Sequence, residues 1–283
     1  MSDLALGFVG LGQMGVLMAA HLVDWPGGLS VYDVRPDAAD ALVAGGAHRA
    51  ASLVDLAERC DVVSVMVRDD AQVRTVVDEI APHLRRGSAV AVHSTVSAST
   101  AVDLADRLGR DGIDVLDAPV SGGAIGARDG RLAVMVGADR AAYDRCKPAF
   151  RTWAELVVHV GPPGAGTRAK LARNLISFVS FCAAAEAQRL AAATGVDLAK
   201  LGAVVRHTDA ITGGPGSVMV RDDIAPLAPE DPLHDVFAHT RDLGEKDLAL
   251  ALELAVEGGI ELPFAELALA NLAAGLGLVD EEA

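Results

Sequence analysis

The chain has 283 residues, 51% of them apolar, and a formal charge of −15. That length suits two domains of ordinary size, and with six Phe, two Trp and two Tyr the core must be filled by Ala, Val and Leu. The acidity repels nucleic acid and anionic membranes, so neither is expected as a partner; small anionic ligands feel local groups and are not excluded.

Strand-like apolar runs occur at residues 4–9, 29–33, 62–67, 89–93, 115–117 and 132–136. Ala-rich helical patterns separate several of them, at 14–24, 36–44 and 100–110. Such alternation predicts an α/β fold with a doubly wound, mainly parallel sheet covered on both faces. The character changes at Gly161-Pro162-Pro163-Gly164-Ala165-Gly166, a cluster of helix and strand breakers. Beyond it strand patterns cease, and helices are predicted at 171–193, 198–207, 243–257 and 263–275, with loop or short helix over 212–232. The expected division is therefore an N-terminal Rossmann-type domain over 1–160 and a C-terminal all-helical domain over 161–283.

Residues 171–193 form the most apolar long stretch, but Arg173, Glu186, Gln188 and Arg189 interrupt it. This predicts a helix buried in a protein core, not a membrane span. Cys60, Cys146 and Cys182 have no metal spacing and read as buried, reduced thiols of a cytoplasmic protein. No metal site is expected. Met1-Ser2-Asp3 leads straight into a strand pattern without a basic segment, so no signal peptide is expected.

The first strand runs into Gly10-Leu11-Gly12-Gln13-Met14-Gly15, a G-x-G-x-x-G turn with a helix behind it. The first glycine permits the tight turn, the second admits a pyrophosphate to the backbone, and the third lets the helix pack on the strand. The competing reading is a plain structural turn. The second strand ends at Asp33, followed by Val34 and Arg35. A carboxylate there accepts hydrogen bonds from both ribose hydroxyls of NAD and repels the 2′-phosphate of NADP. Arg35 is able to pair with that phosphate, which leaves NADP open, and a helix cap before Pro36 is the bland alternative for Asp33.

The stretch Gly7-Phe8-Val9-Gly10-Leu11-Gly12-Gln13-Met14-Gly15, with Met18-Ala19 after it, resembles the N-terminal signature of the β-hydroxyacid dehydrogenases, which include 3-hydroxyisobutyrate dehydrogenase and tartronate semialdehyde reductase. Asp117-Ala118-Pro119-Val120-Ser121-Gly122-Gly123 resembles that family's substrate-binding loop. The breaker cluster followed by Lys170 and Asn174 resembles its catalytic helix, and Lys246-Asp247-Leu248 its C-terminal K-D-L motif. The resemblance covers nearly the whole chain. It implies an NAD-dependent oxidoreductase acting on a small β-hydroxy carboxylate, assembled as a homodimer or homotetramer through the helical domain.

Within that resemblance Lys170 is the expected acid/base. A lysine beside cofactor and apolar helix has its pKa lowered by desolvation and exchanges protons nearer neutrality. Asn174, one turn later on the same face, either holds the substrate hydroxyl or orients the lysine. Ser121, Gly122 and Gly123 offer a hydroxyl and open backbone N–H groups for a carboxylate. The resemblance also implies that Val67, Arg68 and Gln72 line the adenosine side, that Thr95 sits near the nicotinamide, and that Lys246 reaches the cofactor.

Three departures bear on the substrate. Arg173 stands where the family often has Asn, His239 where it often has Phe, and residues 225–241 resemble it poorly. His239 is expected either to line the pocket, favouring a polar substrate tail, or to face solvent in a remodelled loop. An imine reductase and a non-catalytic NAD-binding module are the alternatives; the former usually carries Asp or Tyr in place of Lys170.

Overall fold

The computed structural model describes residues 4–221 and 223–278. In chain order the first part contains β1 (Leu6–Val9), α1 (Gly15–Ala20), β2 (Leu29–Tyr32), α2 (Asp40–Ala44), β3 (His48–Arg49), α3 (Leu53–Arg59), β4 (Val62–Val65), α4 (Asp70–Ile80), β5 (Ala89–Val92), α5 (Ala98–Gly109), β6 (Asp114–Asp117), β7 (Val120–Ser121), α6 (Gly123–Arg128), β8 (Leu132–Gly137), α7 (Arg140–Phe150) and β9 (Ala154–Gly161). Then follow α8 (Ala165–Ala193), α9 (Leu198–Thr212), α10 (His234–Glu257) and α11 (Pro263–Gly275).

The strands join into one sheet in the order β3-β2-β1-β4-β5-β6-β8-β7, with β9 on β8. Pairing is parallel from β3 through β6 and again at β8–β9, whereas β8 runs antiparallel to β6 and β7. The central strands are near-continuous Val and Ala because both faces are covered. One core, around Phe8, Met18, Leu116 and Trp153, covers one face; a second, around Leu56, Val63, Val77 and Leu104, covers the other. The chain order reverses at β1, between β2 and β4, which places the Gly-rich turn at a crevice beyond the carboxyl ends of the strands.

The chain divides into two compact units between Arg173 and Asn174. That division falls inside α8, whose first turn lies against β6 and β8. A Cβ at Gly166 would strike the backbone carbonyls of Asp117 and Met135, so a residue without a side chain is needed where helix meets sheet.

Several expectations are corrected. β3, β7 and β9 carry no clear alternating pattern; β9 in particular has four exposed positions. α10 begins at His234, nine residues before the predicted start, since Asp231-Pro232 supplies the stop and nothing from 234 to 243 breaks a helix. The largest correction concerns α8. It is the helix among the described residues that length and composition would allow to cross a membrane, and it was expected to be buried. Within the chain, Leu175, Phe178, Val179 and Phe181 are instead exposed. The second unit has only a small core, Leu227, Phe237, Leu276 and Leu278, too few side chains to cover a helix apolar on all sides. Glu186 is a buried charged residue of this helix: its carboxylate accepts the N–H groups of Phe264 and Ala265 at 3.0 and 3.1 Å and caps α11. Cys60 and Cys146 are buried, but Cys182, on α8, is exposed.

Candidate active site

The Gly-rich turn lies between β1 and α1, and its three glycines have distinct surroundings. Gly10 has φ +90, and a Cβ there would strike the Met66 carbonyl. A Cβ at Gly15 would strike the Gly10 carbonyl, so this glycine sets how closely α1 packs on the turn. Around Gly12 the space is open, as a site for an approaching phosphate requires. Asp33 follows β2 and fastens the turn: its Oδ2 accepts the Leu11 N–H at 2.7 Å, and its Oδ1 accepts the Arg35 N–H at 2.9 Å. The Arg35 guanidinium is 3.5 Å from the same carboxylate.

A cleft of about 710 Å³ opens here. Gly10, Gly12, Gln13, Met14 and Gly15 line one side, and Asp33, Val34 and Arg35 the end of β2. Val67, Arg68 and Gln72 close the other side. Leu11 belongs to the turn, but its side chain is buried in the core. The loop carrying Val67 is held by Ser94, whose hydroxyl accepts the Val67 N–H at 2.9 Å and donates to the Val67 carbonyl at 2.7 Å. Tyr32, Leu53, Thr75, Val76 and Glu79 also line the cleft. They were not singled out from the sequence, because only the folded β2, α3 and α4 bring them to this wall.

A second cleft, of about 500 Å³, shares Met14 and Met66 with the first. Thr95, Ser121, Gly122, Gly123 and Lys170 line it, together with His93, Val120 and Arg173. Gly122 and Gly123 have φ +129 and +62, conformations that suit glycine and leave the turn's backbone bare. Lys170 is half-buried in α8. Burial, and then the neighbouring Arg173 charge, hold its ammonium pKa below the ordinary lysine value.

Two buried groups fix this arrangement from behind. Asp117, at the end of β6, is fully buried. Its Oδ1 accepts the Gly164 N–H at 2.7 Å and its Oδ2 the Thr167 N–H at 2.6 Å, so it caps the helix that carries Lys170. Burial pushes this carboxyl pKa up, against the lowering by those two N–H groups. His93 bonds through Nδ1 to the Ala118 carbonyl at 2.9 Å and through Nε2 to the Ser64 hydroxyl at 3.1 Å. Its ring packs among Phe8, Phe150 and Trp153, and burial lowers its pKa to about 4. Neither role was read from the sequence. Asp117 was visible as the first residue of the substrate-loop motif, but nothing in the motif shows which N–H groups it meets. Arg173 has a sequence signal, its three-residue spacing from Lys170.

The remaining candidates lie in the second unit. Asn174 is its first residue and is half-buried. Lys246, on α10, is exposed and pairs with Asp247 at 3.0 Å. His239 is exposed on the same helix; it does not sit in a remodelled loop, because α10 extends through it. Among the described residues no group of three or more His, Cys, Asp or Glu could hold a metal ion.

Comparison with known proteins divides the chain between residues 161 and 164, just before α8. Residues 5–161 match the NAD binding domain of 6-phosphogluconate dehydrogenase, and residues 164–281 match the NAD-binding family of NADP-dependent 3-hydroxyisobutyrate dehydrogenase. An uncharacterized oxidoreductase of Mycobacterium tuberculosis is 56% identical over 276 residues, covering 96% of this chain and 93% of that protein. The NAD-dependent L-serine dehydrogenase of Pseudomonas aeruginosa is 33% identical over 269 residues, covering 93% and 89%. The crystal structure of a putative oxidoreductase from Mycobacterium avium superposes with a TM-score of 0.95 at 54% identity, covering 98% of this chain and all of that one. Imine reductases share the fold at 20% identity. With open space at Gly12 and a carboxylate closing β2, the first cleft fits a dinucleotide, and the chain belongs to the NAD-binding β-hydroxyacid dehydrogenase family.

Proposed function

We propose that this protein transfers a hydride between NAD and a small β-hydroxy acid, with Lys170 as general acid/base. The observation that carries this is the shared wall: Lys170, Thr95 and the Ser121-Gly122-Gly123 turn line a cleft that meets the dinucleotide cleft at Met14 and Met66.

Bound NAD supplies the hydride acceptor. In the oxidising direction, neutral Lys170 Nζ takes the hydroxyl proton while the carbon beneath it loses hydride, leaving a carbonyl. In the reducing direction protonated Lys170 returns that proton to the oxygen. The Ser121 hydroxyl and the bare backbone at Gly122 and Gly123 hold the carboxylate, Thr95 borders the reacting carbon, and Asn174 holds the hydroxyl or the lysine. The family resemblance assigns Lys246 to the cofactor and His239 to substrate choice. L-serine, which names one relative's activity, is itself a β-hydroxy acid. The imine-reductase reading draws on fold alone, and the lysine opposes it.

We infer a preference for NAD over NADP from the Asp33 carboxylate at the end of β2, with NADP use as the alternative that Arg35 and Arg68 would permit. We further infer a homodimer or homotetramer from the exposed apolar side chains of α8, and a cytoplasmic location from three free cysteines.

Lys170→Ala tests the central assignment. Turnover should fall by about 10²–10⁴-fold, with NADH binding nearly unchanged, because Lys170 is absent from the lining of the dinucleotide cleft. The rate of alcohol oxidation by the unmodified enzyme should rise with pH through the lysine's pKa, at a midpoint below the ordinary lysine value. Near-normal turnover by the variant would sink the assignment.

A further inference from the structure

Gly12 leaves open space for a phosphate and Asp33 marks the ribose end of the first cleft. A further wall of that cleft is left for the base, and Leu53, Thr75, Val76 and Glu79 line it. Leu53, at the start of α3, and Val76, in α4, are both buried. They supply an aliphatic surface of the kind on which a flat aromatic ring packs. Gln72, Thr75, Val76 and Glu79 stand at i, i+3, i+4 and i+7 of α4, so one stripe of the helix faces the cleft.

Two polar groups of this wall are acceptors. The Thr75 hydroxyl donates its proton to the Ala71 carbonyl at 2.9 Å, which leaves its lone pairs for the cleft. Glu79, one turn further on, is exposed and carries a carboxylate, which accepts on both oxygens. Adenine presents a donor at its ring edge, the 6-amino group, and a hydrogen bond to a charged acceptor is stronger than one to a neutral acceptor. We propose that Glu79 is a specificity-determining residue that accepts the adenine 6-amino group, so that the cleft selects its dinucleotide by the base as well as by the ribose. The proposal rests on the reading of this cleft as the dinucleotide site.

The test is calorimetric binding of two oxidised dinucleotides in the absence of substrate. The probes are NAD and its purine analogue, in which hydrogen replaces the 6-amino group. The unmodified protein should bind NAD about tenfold more tightly. Glu79→Ala should bring the two affinities within about threefold, through weaker binding of NAD with the affinity for the purine analogue unchanged. Glu79→Gln, which keeps an acceptor oxygen and loses the charge, should show an intermediate preference. Equal affinities in the unmodified protein, or an NAD preference that survives Glu79→Ala, would overturn the proposal. So would an equal loss of both dinucleotides in Glu79→Ala, since that is what a merely structural role would give. Failure of the unmodified protein to bind either dinucleotide removes the reading of the cleft itself, whereas equal binding of both removes only the role of Glu79.

Discussion

The carboxylate of Asp117 accepts the main-chain N–H of Thr167 at 2.6 Å, across fifty positions of sequence. It thereby joins the last residue of β6 to the first turn of the helix that carries Lys170. Ser121 lies four residues beyond Asp117 and Lys170 three beyond Thr167, so one buried carboxylate registers the Ser121-Gly122-Gly123 turn against Lys170. Asp117→Asn places an amide N–H₂ against one of two N–H donors. We expect a stability loss of about 1–3 kcal/mol by denaturant melt. We also expect kcat to fall by about tenfold or more through misplacement of Lys170, with NADH affinity unchanged. An unchanged kcat would show that the helix holds its place without the cap.

Coenzyme choice is expected to turn on Asp33. The unmodified enzyme should favour NAD over NADP by kcat/KM, and Asp33→Asn should narrow the gap by removing the repulsion of the 2′-phosphate. Because Asp33 also accepts the Leu11 N–H, the variant should bind NAD itself more weakly. An unmodified enzyme that prefers NADP would mean that the arginines at 35 and 68 dominate the charge at this end of the cleft.

His93 links the site to acid stability. Its pKa is lowered by burial to about 4 in the folded chain, against about 6.5 unfolded. Above the unfolded value both states are neutral and the histidine contributes nothing to the pH dependence. As pH falls from about 6.5 towards 4 the unfolded chain takes up a proton that the folded chain refuses, so stability is lost, by about 3 kcal/mol in all. His93→Asn should be less stable at neutral pH, since it opens space among Phe8, Phe150 and Trp153. Its stability should nevertheless vary less over that window, as read by melts at several pH values. Parallel curves for the two proteins would contradict the buried neutral histidine.

The exposed face of α8 should be covered by a second copy. Light scattering at micromolar concentration should give a mass of at least a dimer. Phe178→Asp, which places a charge beside Phe181, 6.0 Å away between ring centres, should shift the protein towards monomer and lower its apparent melting temperature. A monomeric mass for the unmodified protein would remove the homo-oligomer inference.

What could be read before folding, and what could not, follows from the range of each interaction. The Gly-rich turn is local: its demands on Gly10, Gly12 and Gly15 are set within six residues, and the structure places all three at the first cleft. The pairing of Lys170 with Arg173 is also local, a matter of helical spacing. By contrast Asp117 reaches Gly164 and Glu186 reaches Phe264, 47 and 78 positions away. A carboxylate that caps a distant helix looks in sequence like any other acidic residue. Burial of α8 failed for a related reason, because composition reports how apolar a helix is but not whether its own chain has enough partners to cover it.

Met14 and Met66 belong to the walls of both clefts. Whatever occupies the first cleft therefore shapes one side of the second. On the proposed function the expected consequence is an ordered reaction, in which the hydroxy acid enters after the dinucleotide and its product leaves first.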